Sequence, residues 1–146
     1  MKQRRGLSLP VVRVMLISLY LSALVACPAI GSAVKAGHPL SPQTGQLLGT
    51  ILLVVGAADY AISLFLERHM LKRARSSADL QSAVPVTAIL VGALGASLAG
   101  YGLVLSVFGV SGWALALYAL CVLHGIHLAI RWPDYEEAAA GDSYQP

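Results

Sequence analysis

Four apolar runs dominate this chain, at residues 11–34, 47–66, 83–108 and 113–130. Each is long enough to cross a hydrocarbon core of about 30 Å as a helix rising about 1.5 Å per residue. Such runs leave the backbone few options. In hydrocarbon every N–H and C=O must find a partner within its own helix or within a closed barrel. The runs lack the strict two-residue alternation of barrel strands, so each reads as a transmembrane α-helix. The expected fold is therefore all-α: an integral membrane four-helix bundle, arranged as two antiparallel transmembrane hairpins over residues 11–133.

Composition agrees and narrows the class. The 146 residues are 57% hydrophobic and only 12% charged, which excludes a soluble globular domain, a disordered chain and a disulfide-rich secreted module. Four spans of roughly 20 residues each leave too little chain for a separate soluble domain. Although the net charge is +3, the basic residues flank apolar spans instead of forming an aromatic-interleaved surface, so no nucleic-acid partner is expected. Cys27 and Cys121 both fall inside apolar runs, which points to packed thiols and not to a disulfide framework or a CxxC pair.

The connections set the orientation. Lys35-Ala36-Gly37-His38-Pro39-Leu40-Ser41-Pro42 stops helix propagation with two prolines and a glycine. The second connection carries Arg68, His69, Lys72, Arg73 and Arg75, and the third is only Gly109-Val110-Ser111-Gly112, a turn that forces a hairpin. Residues 1–10 read as a basic N-terminal segment, and residues 134–146 as an acidic, disordered tail. On one side lie Lys2, Arg4, Arg5, Arg13, Arg68, Lys72, Arg73, Arg75 and Arg131, and on the other only Lys35. Positive residues stay inside, so both termini are expected in the cytoplasm, with the protein in the inner membrane of a bacterium and Trp113 and Trp132 as interfacial aromatics. Arg68, Lys72, Arg73 and Arg75 suit anionic lipid headgroups.

The first run also resembles a processing signal. Lys2, Arg4 and Arg5 form a basic leader, Leu24-Val25-Ala26-Cys27 resembles a lipobox with Cys27 as the lipidated residue, and Gly31-Ser32-Ala33 resembles a small-x-small cleavage site. The 24-residue length of the run, Arg13 at its start and Pro28 directly after Cys27 favour an uncleaved helix.

The third run places Gly92, Ala96 and Gly100 at intervals of four, a small-residue face of the kind that drives helix association in lipid. That face can serve the bundle itself, a homo-oligomer or a larger membrane complex. The stretch Ala96-Ser97-Leu98-Ala99-Gly100-Tyr101-Gly102-Leu103-Val104-Leu105 resembles the ion-carrying helix of rotary ATPase proteolipid (c-type) subunits. It departs from that helix where the resemblance would require a carboxylate, because Ala96 stands there. More broadly, the four spans with a basic middle connection resemble small four-span bacterial membrane proteins. That likeness implies a fold and a location but no activity.

Asp59 is the one acid well inside a run, eight positions before Glu67 and so about 12 Å deeper along the helix. Such a residue is costly in hydrocarbon and marks a site whose partner must be sought. Depth reckoning brings His124, seven residues before Arg131, and Tyr20, nine residues after Val11, to a similar level. Asp59, His124 and Tyr20 are thus expected to form one intramembrane polar layer, either a structural hydrogen-bonded cluster or a proton relay. His124 and His127 share a helix face. Two histidines without further ligands do not make a metal site, so no metal and no cofactor is expected.

No nucleophile motif and no phosphate-binding loop is present. The sequence accordingly reads as a non-enzymatic structural or accessory membrane protein packing through Gly92, Ala96 and Gly100. The alternative is a small transporter or proton-conducting protein using Asp59 with His124.

Overall fold

The computed structural model describes residues 8–34 and 40–140, apart from the side chains of Ala78 and Asp79. Lys2, Arg4, Arg5, Lys35, His38 and residues 141–146 lie outside the described residues. The chain forms α1 (Leu9–Ala33), α2 (Pro42–Ser76), a four-residue α3 (Ala78–Gln81), α4 (Val84–Val107) and α5 (Ser111–Ala140). All but α3 are long and apolar enough to span a membrane. The protein is a polytopic four-helix bundle.

Helix ends follow local chemistry. Proline occupies the first turn of α1, α2 and α4, where its missing N–H is no loss because those donors have no intrahelical acceptor. Ser41 caps α2, its Oγ accepting from the Thr44 N–H at 3.2 Å. At the α4–α5 turn Gly109 takes φ +78°, a left-handed conformation that a Cβ would strain.

Antiparallel α4 and α5 pack closely, while α1 lies mainly against α4 and α2 lies against both. The expected hairpin pairing thus holds for α4 and α5, whereas α1 and α2 take opposite sides of that pair and scarcely touch. Heptad spacing explains the central contact. Ala88, Gly95 and Gly102 alternate with Val91, Leu98 and Leu105 on the buried face of α4, and Ala114, Cys121, Leu128 and Tyr135 line the buried face of α5. A seven-residue repeat keeps one seam facing its partner along left-handed crossings of about 20°.

Two expectations are corrected at the charged end of the bundle. The second connection is not a loop, because α2 continues through Arg68, Lys72, Arg73 and Arg75 to Ser76. The acidic segment is not a tail from residue 134, because α5 runs on through Pro133 to Ala140. The extensions hold each other: Leu71 and Ala74 of α2 and Tyr135 and Ala138 of α5 are buried, while Arg75 Nη2 meets Asp134 Oδ1 and Glu137 Oε2, each at 3.0 Å. At 35 residues, α2 is about 52 Å long, well beyond the hydrocarbon thickness. Its basic turns therefore project past the apolar core as helix.

The small-residue face is divided. A Cβ on Gly92 would collide with Leu16 of α1, whereas one on Gly100 would meet nothing within 4 Å. Steps of four residues advance 400°, or 40° past a full turn, so Gly100 has rotated about 80° from Gly92 and reaches the flank. Gly92 is spent inside the bundle, and Ala96 and Gly100 are only half-buried.

Cys27 is half-buried inside α1, which continues through Pro28 to Ala33, and Cys121 is buried in α5. Both are free thiols.

Candidate functional site

Three polar groups are strung along α2, at Asp59, Ser63 and Glu67, while α4 and α5 share a separate contact of Ser106 Oγ with the Tyr118 hydroxyl at 3.2 Å. The α2 positions are four apart, and the same 40° drift turns each a little further from α4 toward α5. The parallel packing of α2 beside α5 is kept in register, with partners separated by 61 residues at Ser63–His124, 60 at Glu67–His127 and 59 at Arg75–Asp134.

The central group is closed. His124 is 0% exposed, its Nδ1 lies 2.7 Å from the Tyr20 hydroxyl and its Nε2 lies 2.7 Å from Ser63 Oγ. Ser63 Oγ in turn donates to the Tyr60 carbonyl at 2.7 Å. Counting hydrogens fixes the directions. Ser63 has one hydroxyl hydrogen, used on Tyr60, so His124 Nε2 carries the proton it donates to Ser63, and Nδ1 accepts from Tyr20. The Tyr60 ring stands edge-on to the imidazole at 5.2 Å. With both ring nitrogens engaged, His124 has no lone pair to offer a metal. Gly95 of α4 makes the room: a methyl there would run into both the Tyr20 hydroxyl and His124 Nδ1.

Asp59 belongs to a different group, which corrects the expectation of one layer. Tyr20 and His124 meet, but Asp59 turns to α4, where Oδ2 accepts from Tyr101 at 2.7 Å and from Ser97 at 3.1 Å. Ser97 Oγ also lies 2.7 Å from the Leu94 carbonyl, so its single hydrogen is shared and Tyr101 is the firmer donor. The reason for the separation is angular. Asp59 follows buried Gly56 by three residues, which rotates it about 60° off the inner line of Gly56 and Ser63. It comes to rest half-buried on the α2–α4 flank, with Oδ1 accepting no hydrogen bond among the described residues.

The third group, at the charged end, was not singled out by the sequence. Glu67 is 1% exposed. Its Oε2 accepts from His127 Nε2 at 2.8 Å, and its Oε1 lies 3.5 Å from Arg131 Nε. Arg131 Nη1 reaches Asp134 Oδ2 at 2.6 Å. Among the described residues, neither Glu67 Oε1 nor the nearby buried Tyr135 hydroxyl makes a hydrogen bond. A signal for this cluster exists: Ser63 and Glu67, four apart on α2, are matched on α5 by His124, His127 and Arg131 at helical spacing. Glu67 escapes notice because it adjoins Arg68 at what looks like the end of an apolar run.

Of the basic residues, Arg68, Lys72 and Arg73 are exposed on α2. Arg68, Lys72 and Arg75 join Arg131 around a cleft of about 380 Å³. Among the described residues no group of three or more His, Cys, Asp or Glu side chains is placed to hold a metal ion.

Neither protein-family models nor curated proteins nor solved structures yield a match to this chain. The reading of its function therefore rests on the chemistry of these sites.

Proposed function

We propose that this chain is a non-enzymatic structural membrane protein, resident in a bacterial inner membrane with its charged end in the cytoplasm, that associates with a second copy of itself across the outer α2–α4 flank. Asp59 carries the reading. A half-buried aspartate at membrane depth, with one carboxylate oxygen that accepts no hydrogen bond among the described residues, costs free energy unless something covers it. The flank around it suits a helix. Val55 and Ile62 on α2 and Leu90 and Val104 on α4 are large, apolar and exposed, while Ala96, Ser97 and Gly100 leave a shallow track between them. A two-fold axis through this flank would set the same patch of each copy against the other and cover both Asp59 carboxylates at once.

Dimerisation in lipid bilayers tests this. Energy transfer between labelled copies should report a dimer that Gly100→Leu and Asp59→Leu each weaken, with the helical content of the monomer unchanged. Copies that stay monomeric at every protein-to-lipid ratio would overturn the proposal.

A second reading, proton passage, is favoured by the chain of groups from Tyr20 through His124 and Ser63, with His127 and Glu67 close by. The His124 and His127 rings are 6.4 Å apart. Protein in tight vesicles should then carry a proton flux that Glu67→Gln abolishes, and an absence of flux excludes this reading.

A further inference from the structure

Between α1 and α5 the bundle leaves a crevice of about 340 Å³, open along the side that faces lipid. Leu21 and Leu24 line it on α1 and Val122, Ile126 and Ala129 on α5, and Gly125 and Tyr20 form its floor. Gly125 gives the floor its depth, since a Cβ there would lie 3.1 Å from the Tyr20 ring. At the charged end the crevice terminates in Arg13 and Trp132.

We propose that this crevice is a binding site for one anionic phospholipid, an acyl chain lying between α1 and α5 and the phosphate on Arg13. Three observations carry it. The walls are almost wholly apolar side chains, which fits a hydrocarbon chain and no polar ligand. The length matches one leaflet: from Arg13 to Leu24 is about 16 Å of helix, against about 15 Å for half of the hydrocarbon core. The ends are matched in charge and chemistry, because the Arg13 guanidinium stands 5.8 Å from the centre of the Trp132 ring, an interfacial aromatic beside a cation at headgroup depth.

Glu136 leaves the cation available. Its Oε1 is 3.9 Å from Arg13 Nη1, too far for a hydrogen bond, and it is held by the Trp132 Nε1–H at 2.9 Å. Both Arg13 and Glu136 are more than half exposed, so screening weakens their pairing. Arg13 thus keeps guanidinium N–H donors that Glu136 does not occupy, and these are the donors a phosphate would take.

Native mass spectrometry of protein released from bilayers of phosphatidylcholine and phosphatidylglycerol tests the site. The expected result is one tightly retained lipid per chain, enriched in phosphatidylglycerol. Arg13→Gln should lower that enrichment about fivefold, the effect of one cation near a headgroup, while Arg13→Lys keeps it and Lys72→Gln, at a headgroup contact outside the crevice, lowers it distinctly less. Ala129→Phe, which fills the crevice from the lipid side without touching the core, should abolish retention of either lipid. The proposal is overturned by a broad distribution of bound lipids, by retention that survives Ala129→Phe, or by equal losses for Arg13→Gln and Lys72→Gln.

Discussion

His124 and Asp59 are two polar side chains at membrane depth, and the bundle treats them in opposite ways. His124 is sealed, with each ring nitrogen matched to one hydroxyl and Gly95 cut back to admit the pair. Asp59 is left on a flank with one oxygen twice used and the other open. The first arrangement is complete within one chain and the second is not. A hydrogen-bonded residue in a protein interior therefore says little about function by itself, whereas an unmatched one at the lipid boundary points outward.

Mutations can break this contrast, and the largest effect should come from the sealed site. Gly95→Leu has no room beside Tyr20 and His124, so the variant should fail to form the bundle, as read by loss of the compact state in a detergent unfolding titration. Gly92→Leu meets Leu16 in the same way and should cost several kcal/mol as an overpacked core, while Gly100→Leu leaves the stability of the monomer intact. Equal destabilisation at Gly92 and Gly100 would erase the distinction between inner and outer halves of that helix face.

Next in size is His124→Leu, which strands the Tyr20 hydroxyl in an apolar interior. A loss of about 1–3 kcal/mol is expected, and Tyr20→Phe in the same background should recover part of it in a double-mutant cycle. Glu67→Gln should cost about 1–3 kcal/mol, because it removes the charge shared by His127 and Arg131. The range is held down because Arg131 is 40% exposed. The smallest effect on the monomer belongs to Asp59→Asn, expected to change unfolding free energy by under about 1 kcal/mol, as measured for membrane hydrogen bonds generally. A large monomer effect at Asp59 would mean that it is as internal as His124.

Much of the architecture was legible. Run lengths gave the four spans because hydrocarbon admits no other backbone solution for such segments, and Gly109 with Gly112 marked the tight hairpin turn. The charged end was misread for a specific reason. Charge density suggested a loop at Arg68–Arg75 and a tail after Pro133, yet Leu71, Ala74, Tyr135 and Ala138 keep helical spacing through both stretches, and two helices that continue side by side bury these residues against each other. Within the site, depth reckoning put Tyr20 and His124 at one level, and they do meet. Depth is an axial coordinate, and Asp59 failed on the angular one.

By itself the sequence determined the class of protein, the number of apolar helices, which end of them carries the charge, and the presence of polar residues within the spans, because each follows from composition and from the 1.5 Å rise. Only the tertiary structure decided which side chains face each other. Heptad packing of α4 on α5 sets the rotation of each helix about its axis, and on α2 a step of four residues, about 40°, separates Ser63, closed against His124, from Asp59 on the flank.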